Sequence, residues 1–290
     1  DGYAVYTERP GAWRRRDRRM HTARGVVIAA GPLGTNRLLA NCRHSGALPR
    51  LSRRLGELVR TNSEAILAVT VPDDSVDYTR RVAITSSIYP DPDTHVETVV
   101  YGNEGGAVKL LQTLLVGDGT RVTRPLKLLG AILRHPGRLA SLLLRPGWSR
   151  RTIVLLVMQT LDNAISLRPR PLPNGRVRLQ TEQAPEKPIP TFIPVANQAA
   201  EWFSERTGGI AQSATSEALF NVPTTAHILG GAVIGPDAEQ GVVDGDQRVY
   251  GYENLLVCDG AAVPANPGVN PSLTITALAE HAMAAIPPRG

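Results

Sequence analysis

The chain has 290 residues, of which 42% are hydrophobic and 20% charged. That is enough for a real core in one large domain or two small ones. The formal net charge of +6 allows weak attraction to anionic surfaces, but there is no zinc-finger spacing, RNA-binding aromatic signature or basic heptad helix, so nucleic acid is not an expected partner.

In chain order, YAVYTE reads as a first strand, followed by the basic run Trp13 to Arg19. That run fits a solvated turn between two strands; a localisation patch is the alternative. Arg24 to Ala30 (RGVVIAA) reads as an apolar strand, and Gly31 to Thr35 turns it into a helix, NRLLANCR. In a doubly wound fold such a strand–turn–helix is where backbone amides meet a dinucleotide, although an ordinary connection has the same pattern. From Glu64 the period changes. EAILAVTV, RVAITSSIY and HVETVVY alternate and are rich in β-branched residues, which predicts strands of a mostly antiparallel sheet. Pro72, Pro90 and Pro92 mark the connections. A second set, IVLLVMQ, AISLRPR and RVRLQ, includes a hairpin at Asn174-Gly175. Together they predict a middle sheet distinct from the flanking α/β pieces.

Between the two sets, residues 105–151 place leucines at helical spacing with Lys and Arg between them, and Pro136 and Pro146 cut the run into short helices. Two readings stand: a cover over the sheet, or an interfacial surface with an apolar face and a basic rim. Val195 to Arg206 predicts a further helix with Trp202 and Phe203 in the core.

The last quarter is the most informative. AHILGGAVIG runs from Ala226 to Gly235, and NLLVCDGAAVPANPGVNPSLTITALAEHAM from Asn254 to Met283. Asn254 to Val257 predicts a buried strand ended by Asp259-Gly260. Asn270-Pro271-Ser272 then opens a helix, with Asn as N-cap and Pro at the first helical position. The amides of that first turn face outward from a partially positive helix end, which suits an anion or an electron-rich ring. Cys42 and Cys258 are too few and too far apart for a metal site or a disulfide framework, and no metal is expected. No apolar run reaches membrane-spanning length.

Several ordered blocks resemble the glucose-methanol-choline (GMC) flavin oxidoreductases, and within them the cholesterol-oxidase-like branch. They are His227 to Gly231, Gly241 to Asp244, Arg248 to Tyr252, Asp259-Gly260 and Gly268 to Glu280, joined upstream by GVVIAAGPLGTNRLLA, RTNSEAIL, HVETVVYG and LLVMQTLDNAI. The resemblance implies an FAD-dependent enzyme that oxidises a hydroxyl group by hydride transfer to flavin, on a 3-hydroxysteroid such as cholesterol. It implies α/β plus α+β architecture: part of an FAD-binding Rossmann-like domain (residues 1–62 and 226–290) with an inserted, mostly antiparallel substrate-binding domain (63–225). Alternatives are a different hydrophobic or aliphatic alcohol, or a non-catalytic lipid-binding protein at the membrane periphery.

The same resemblance assigns site residues. His227 would position the substrate hydroxyl and accept its proton, work that suits an imidazole; a hydrogen-bonded core histidine is the plain alternative. Asn270 would sit by flavin and substrate oxygen, a role expected to dominate over helix capping. Glu97 would move a proton between ring carbons, converting a Δ5-3-ketone into the conjugated Δ4-3-ketone, from an apolar pocket that raises its pKa; Glu64 is its rival, and a solvent-facing strand position is the plain reading of Glu97. Ala30, Gly31, Asp259, Gly260, Gly268, Val269, Asn270 and Pro271 would contact FAD.

The chain departs from the family pattern at Ile228, Ala232 and Ala261, where proline, cysteine and serine are usual; none of these carries proposed chemistry. No G-x-G-x-x-G fingerprint is present, so the chain reads as a C-terminal fragment without the N-terminal βαβ unit, inactive by itself. The compartment is open, cytoplasmic or secreted, with peripheral membrane contact through 105–151.

Overall fold

The computed structural model describes residues 2–11, 17–80, 82–184 and 186–286, without side chains at 103–106. In chain order the elements are β1 (Tyr3–Thr7), β2 (Arg19–Ala23), β3 (Val26–Ile28), α1 (Gly31–His44), β4 (Glu57–Arg60), β5 (Ala65–Thr70), β6 (Ile84–Asp91), β7 (Thr94–Val99), β8 (Gln112–Leu114), α2 (Thr123–Arg134), α3 (Pro136–Leu144), α4 (Trp148–Arg151), β9 (Thr152–Gln159), β10 (Ile165–Pro171), β11 (Val177–Gln183), α5 (Pro194–Thr207), β12 (Ile210–Ala214), α6 (Thr215–Phe220), β13 (Leu229–Gly231), β14 (Leu255–Val257) and α7 (Ser272–Ala284). β1 and β2 pair antiparallel on either side of the basic run, whose residues 13–16 lie outside the described residues.

A six-stranded antiparallel sheet in the order β6-β7-β9-β5-β12-β8 dominates the middle of the chain. Its centre is β9, TIVLLVMQ, an almost unbroken apolar run. Such a run needs cover on both faces, because each fully buried aliphatic side chain contributes roughly 1.5–3 kcal/mol. Leu155 and Val157 pack under α5 against Ile193, Ala196 and Ala200. Val154, on the other face, packs under α2 and α3 against Leu128, Leu142 and Trp148. The edge strand β6 is exposed throughout. Pro90 falls inside it rather than in a connection, which an edge strand tolerates because no ladder bond is lost on its open side.

The second set of strands divides. β9 joins the six-stranded sheet, whereas the β10–β11 hairpin leaves it and forms a separate antiparallel sheet in the order β11-β10-β4-β13. Periodicity marks strands but not their partners, so the single middle sheet read from sequence is two sheets. The turn itself lies at Asn174-Gly175, with Gly175 at φ 74°. The segment AVKLLQTLLV is also not a helix throughout: a 3-10 stretch ends at Leu111 and Gln112–Leu114 pairs with β12 as a strand.

The flanking segments meet in a two-stranded parallel sheet of β3 and β14. Its core joins Ile28, Leu39 and Leu55 to Val242, Val249, Leu255 and Val257. On α5, Phe203 packs against the core. Trp202 is 50% exposed, contrary to the core position expected for it. It meets Phe203 edge to face and carries the Arg206 guanidinium on its ring, so an aromatic at the helix margin is stabilised without burial.

Candidate active site

The site lies on the face of the six-stranded sheet opposite α5. Glu97 on β7 is opposite Leu156 on β9, and Leu156 is opposite Ile66 on β5. Strand alternation puts His95, Glu97, Ile66, Leu156 and Met158 on this one face, and Glu64 stands immediately before β5. Both carboxylates are buried, so the solvent-facing reading of Glu97 does not hold. The alternation is genuine, but β7 is an interior strand covered on both faces.

The two glutamates have different partners. His227 Nδ1 hydrogen-bonds to Glu64 Oε1, and the backbone of Ala226 donates to Glu64 Oε2. A carboxylate at Nδ1 takes the proton-bearing nitrogen and leaves Nε2 as the basic one. Among the described residues no hydrogen bond to Nε2 is formed. The His227 amide is held by Thr225 Oγ1 at 2.9 Å, and that hydroxyl donates to Thr61 O at 2.9 Å. The second pair is Asn270 and Glu97, with Nδ2 donating to Oε2 at 2.7 Å.

The Asn270 bond settles how that residue is used locally. Asn270 does not cap α7. Pro271 occupies the cap position, no side chain caps the helix, and the Asn270 amide is spent on Glu97. The first-turn amides of α7 are therefore left for a ligand, as they are in α1, which begins at Gly31 without a side-chain cap. Asp259 accepts from Thr35 Oγ1 at 2.5 Å and from the Ala261 amide at 2.7 Å, which ties the end of β14 to α1. A Cβ on Gly260 would stand 3.1 Å from Pro32 and Leu229 and 3.2 Å from Ile275, so Gly260 sits where α1, β13 and α7 meet. Gly260 and Gly268 are closely packed, whereas a Cβ on Gly31 would meet nothing within 4 Å, so the backbone at the start of α1 faces open space. The first-turn amides of α1 and α7 fit an anionic or electron-rich ligand.

Two glycines show what the small residues are for. Gly231 has φ 88°, and a Cβ there would stand 2.3 Å from the Asn36 amide nitrogen. The room beside His227 is therefore taken by α1, whose Asn36 donates to Gly230 O at 3.0 Å. Gly268 has φ 67°, and a Cβ there would stand 2.2 Å from Thr160 Cγ2, so the 266–270 loop presses directly on the end of β9.

Sequence reasoning missed the residues that seat this loop. Asn62 donates to Val269 O at 2.9 Å, and its amide donates to Asn266 Oδ1 at 3.0 Å. Asn266 donates to Asn163 Oδ1 at 3.2 Å, and Ser63 donates to the same oxygen at 2.8 Å. Asn62 and Ser63 both have positive φ, 55° and 47°, a backbone region that favours asparagine among residues other than glycine. Their signal lay in RTNSEAIL, LLVMQTLDNAI and ANPGVN, each with an asparagine. Among the described residues no cluster of His, Cys, Asp and Glu could hold a metal ion. A cavity of about 1350 Å³ lies along β3 and α1 between Tyr3, Leu38, Arg50 and Tyr252; the paired glutamates do not line it.

With this geometry in place, the likenesses to known proteins are specific. Residues 188–279 match the C-terminal family model of the GMC oxidoreductases. The chain is 47% identical over 294 residues to a cholesterol oxidase of Mycobacterium tuberculosis, covering 99% of this chain and 51% of that protein. It is 42% identical over 290 residues to a cholesterol oxidase of Acinetobacter baumannii, with the same coverage. Among solved structures, pyridoxine 4-oxidase from Mesorbium loti superposes with a TM-score of 0.55 at 13% identity, covering 97% of this chain and 54% of that one; at that identity it speaks for the fold alone. The chain is thus similar to cholesterol oxidases along 99% of its length, and its residues 188–279 are similar to the C-terminal region of the GMC oxidoreductases. It spans about half the length of the curated relatives it matches, 51%.

Proposed function

We propose that this chain carries the substrate-side catalytic groups of an FAD-dependent oxidase of a 3-hydroxysteroid. The observation that carries the reading is the pairing of His227 with Glu64 and of Asn270 with Glu97 beside the six-stranded sheet. His227 acts on the alcohol: with Nδ1 bound to Glu64, Nε2 accepts the hydroxyl proton as the carbinol carbon is oxidised. FAD, when bound, supplies the two-electron acceptor for the carbinol hydrogen. Ala30, Gly31, Asp259, Gly260 and Gly268 to Pro271 would hold it, and the α1 and α7 termini, which have no side-chain cap, would offer amides to its negative charge. Asn270 orients Glu97 through Oε2.

Glu97 then performs the isomerisation. The substrate carbon between the new carbonyl and the double bond loses a proton to the carboxylate. The electron pair passes into the conjugated system, and the proton returns at the far carbon. Leu156, Met158 and Ile66 give this step apolar surroundings.

A membrane supplies the substrate. Glu97 and the α2–α3 cover occupy different parts of the same sheet face. On α2, Val122, Leu126, Leu129 and Leu133 point outward, 68%, 61%, 52% and 73% exposed. Their spacing makes a single stripe along the helix, next to Lys127 and Arg134 in a run with no acidic residue from Gly119 to Leu161. An apolar stripe with a cationic rim suits an anionic lipid surface.

The test is anaerobic mixing of the purified flavoprotein with cholesterol and with a panel of long-chain and short-chain primary alcohols. Fast loss of oxidised-flavin absorbance with the sterol supports the reading; reduction only by other alcohols overturns the substrate class.

A further inference from the structure

His95 is used by neither pair. It is buried on β7, on the same face as Glu97, and opposite Met158 on β9. Neither ring nitrogen has a hydrogen-bond partner among the described residues. One face of the ring is fixed by Tyr89 of β6, stacked at 4.4 Å and 9° between planes. Its Nε2 stands 3.7 Å from Glu97 Oε1. A buried imidazole with both nitrogens unsatisfied is costly to folding; such groups are tolerated where they serve a site.

We propose that His95 shares the proton that Glu97 takes from substrate. The inference rests on the isomerising role of Glu97 above. Asn270 already donates to Oε2, so the proton taken from a substrate carbon lands on Oε1. The group facing Oε1 is His95 Nε2. The carbon–hydrogen bond breaks and an Oε1–H bond forms. Transfer to Nε2 then breaks that O–H bond, forms an N–H bond, and leaves imidazolium beside carboxylate. The reverse transfer restores the neutral acid that protonates the second carbon. No oxidant or further reactant is consumed. A gap of 3.7 Å is slightly beyond hydrogen-bond reach, and catalytic hydrogen bonds in unliganded sites are often long and tighten when substrate binds. The other groups facing His95 do not compete for this role. β6 presents the Tyr89 ring and β9 presents Met158, while Glu64 is already engaged with His227.

The test uses the intact flavoprotein supplied directly with the unconjugated Δ5-3-ketone, so that isomerisation is read apart from oxidation. His95→Phe keeps the ring stacked on Tyr89 and removes both nitrogens. It should slow isomerisation by up to about 100-fold, the lower end of what a positioned acid–base partner contributes, and slow flavin reduction by the sterol far less. His95→Gln can hydrogen-bond to Oε1 but has no basic nitrogen to take the proton, so it should stay as slow as His95→Phe; recovery in His95→Gln would reduce His95 to a hydrogen-bonding contact. Wild-type isomerisation in His95→Phe would overturn the proposal and return His95 to a packing role. A second readout does not depend on the substrate. The ring ¹⁵N resonances of His95, at one pH, should move on Glu97→Gln and stay in place on Glu217→Gln. If wild-type protein does not isomerise the ketone, the reading of Glu97 fails. Unmoved His95 resonances in Glu97→Gln sink the proton sharing in either case.

Discussion

Glu64 and His227, 163 residues apart in sequence, share a hydrogen bond between Oε1 and Nδ1. The pair ties the start of β5 to the segment leading into β13 and fixes which imidazole nitrogen is basic. Glu64→Gln keeps the size and the hydrogen bond but can offer an amide N–H to Nδ1, which would shift the ring proton to Nε2. Turnover should fall by roughly 10²–10⁴-fold, the usual worth of positioned acid–base assistance. His227→Ala should fall in the same range with FAD retained. Steady-state and single-turnover flavin reduction check both; wild-type reduction in Glu64→Gln would reduce the pair to a structural contact.

The assignment of Glu97 to isomerisation predicts a separation of two activities. Glu97→Gln still accepts the Asn270 amide through its carbonyl oxygen, so the loop geometry is kept. Sterol oxidation should persist while the unconjugated ketone accumulates, as seen by chromatography of products. Formation of the conjugated ketone at the normal rate would remove Glu97 from the role.

The strands were readable because β-branched residues alternate in them. His227, Asn270 and Glu97 stood out because they sit in dense motif blocks, and the structure places each of them in a hydrogen-bonded pair beside the six-stranded sheet. What escaped was partnership over long separations. HVETV shows that Glu97 alternates with Val96 but not that β7 is an interior strand. RTNSEAIL presents Glu64 as a rival for the Glu97 role, yet its partner is 163 residues away. Asn270 looked like a cap because Asn-Pro-Ser is a good helix start; the competing attraction, a buried carboxylate 173 residues away, is tertiary. The destination of the β10–β11 hairpin was hidden for the same reason, since Ile165 finds Val59 on β4.

The outward stripe on α2 predicts a separation between access and chemistry. Replacing Leu126, Leu129 and Leu133 by Ser changes side chains that are more than half exposed, so folding should be little changed. Binding to vesicles containing anionic lipid should drop by at least about tenfold, since each buried leucine contributes roughly 1.5–3 kcal/mol. Activity on detergent-solubilised sterol should stay near wild type. Sedimentation with vesicles measures the first, and unchanged binding would make α2 an ordinary cover.

Glu217 predicts how stability responds to pH. It is buried on α6, where its Oε1 accepts from the Thr224 amide at 3.4 Å and its Oε2 lies 4.0 Å from Arg124 Nη2. Burial pushes its carboxyl from 4.5 up to about 7, with Arg124 and the Thr224 amide pulling the other way. Arg124 is itself buried and donates to Thr191 O at 2.6 Å and Asn221 Oδ1 at 3.1 Å, so α2 is anchored to the segment that leads to His227. Because the folded-state pKa is raised, the folded protein holds a proton that the unfolded chain releases. The resulting stability is fully present below about pH 4.5 and is lost as pH rises through about 7. A shift of this size corresponds to about 3 kcal/mol. Melting temperature should therefore decline between about pH 4.5 and 7 more steeply in wild type than in Glu217→Gln, which cannot ionise. Glu217→Ala should be destabilised at every pH, because it leaves Arg124 buried beside a cavity. Parallel pH profiles for wild type and Glu217→Gln, measured by thermal unfolding, would show that this carboxyl does not change ionisation on folding.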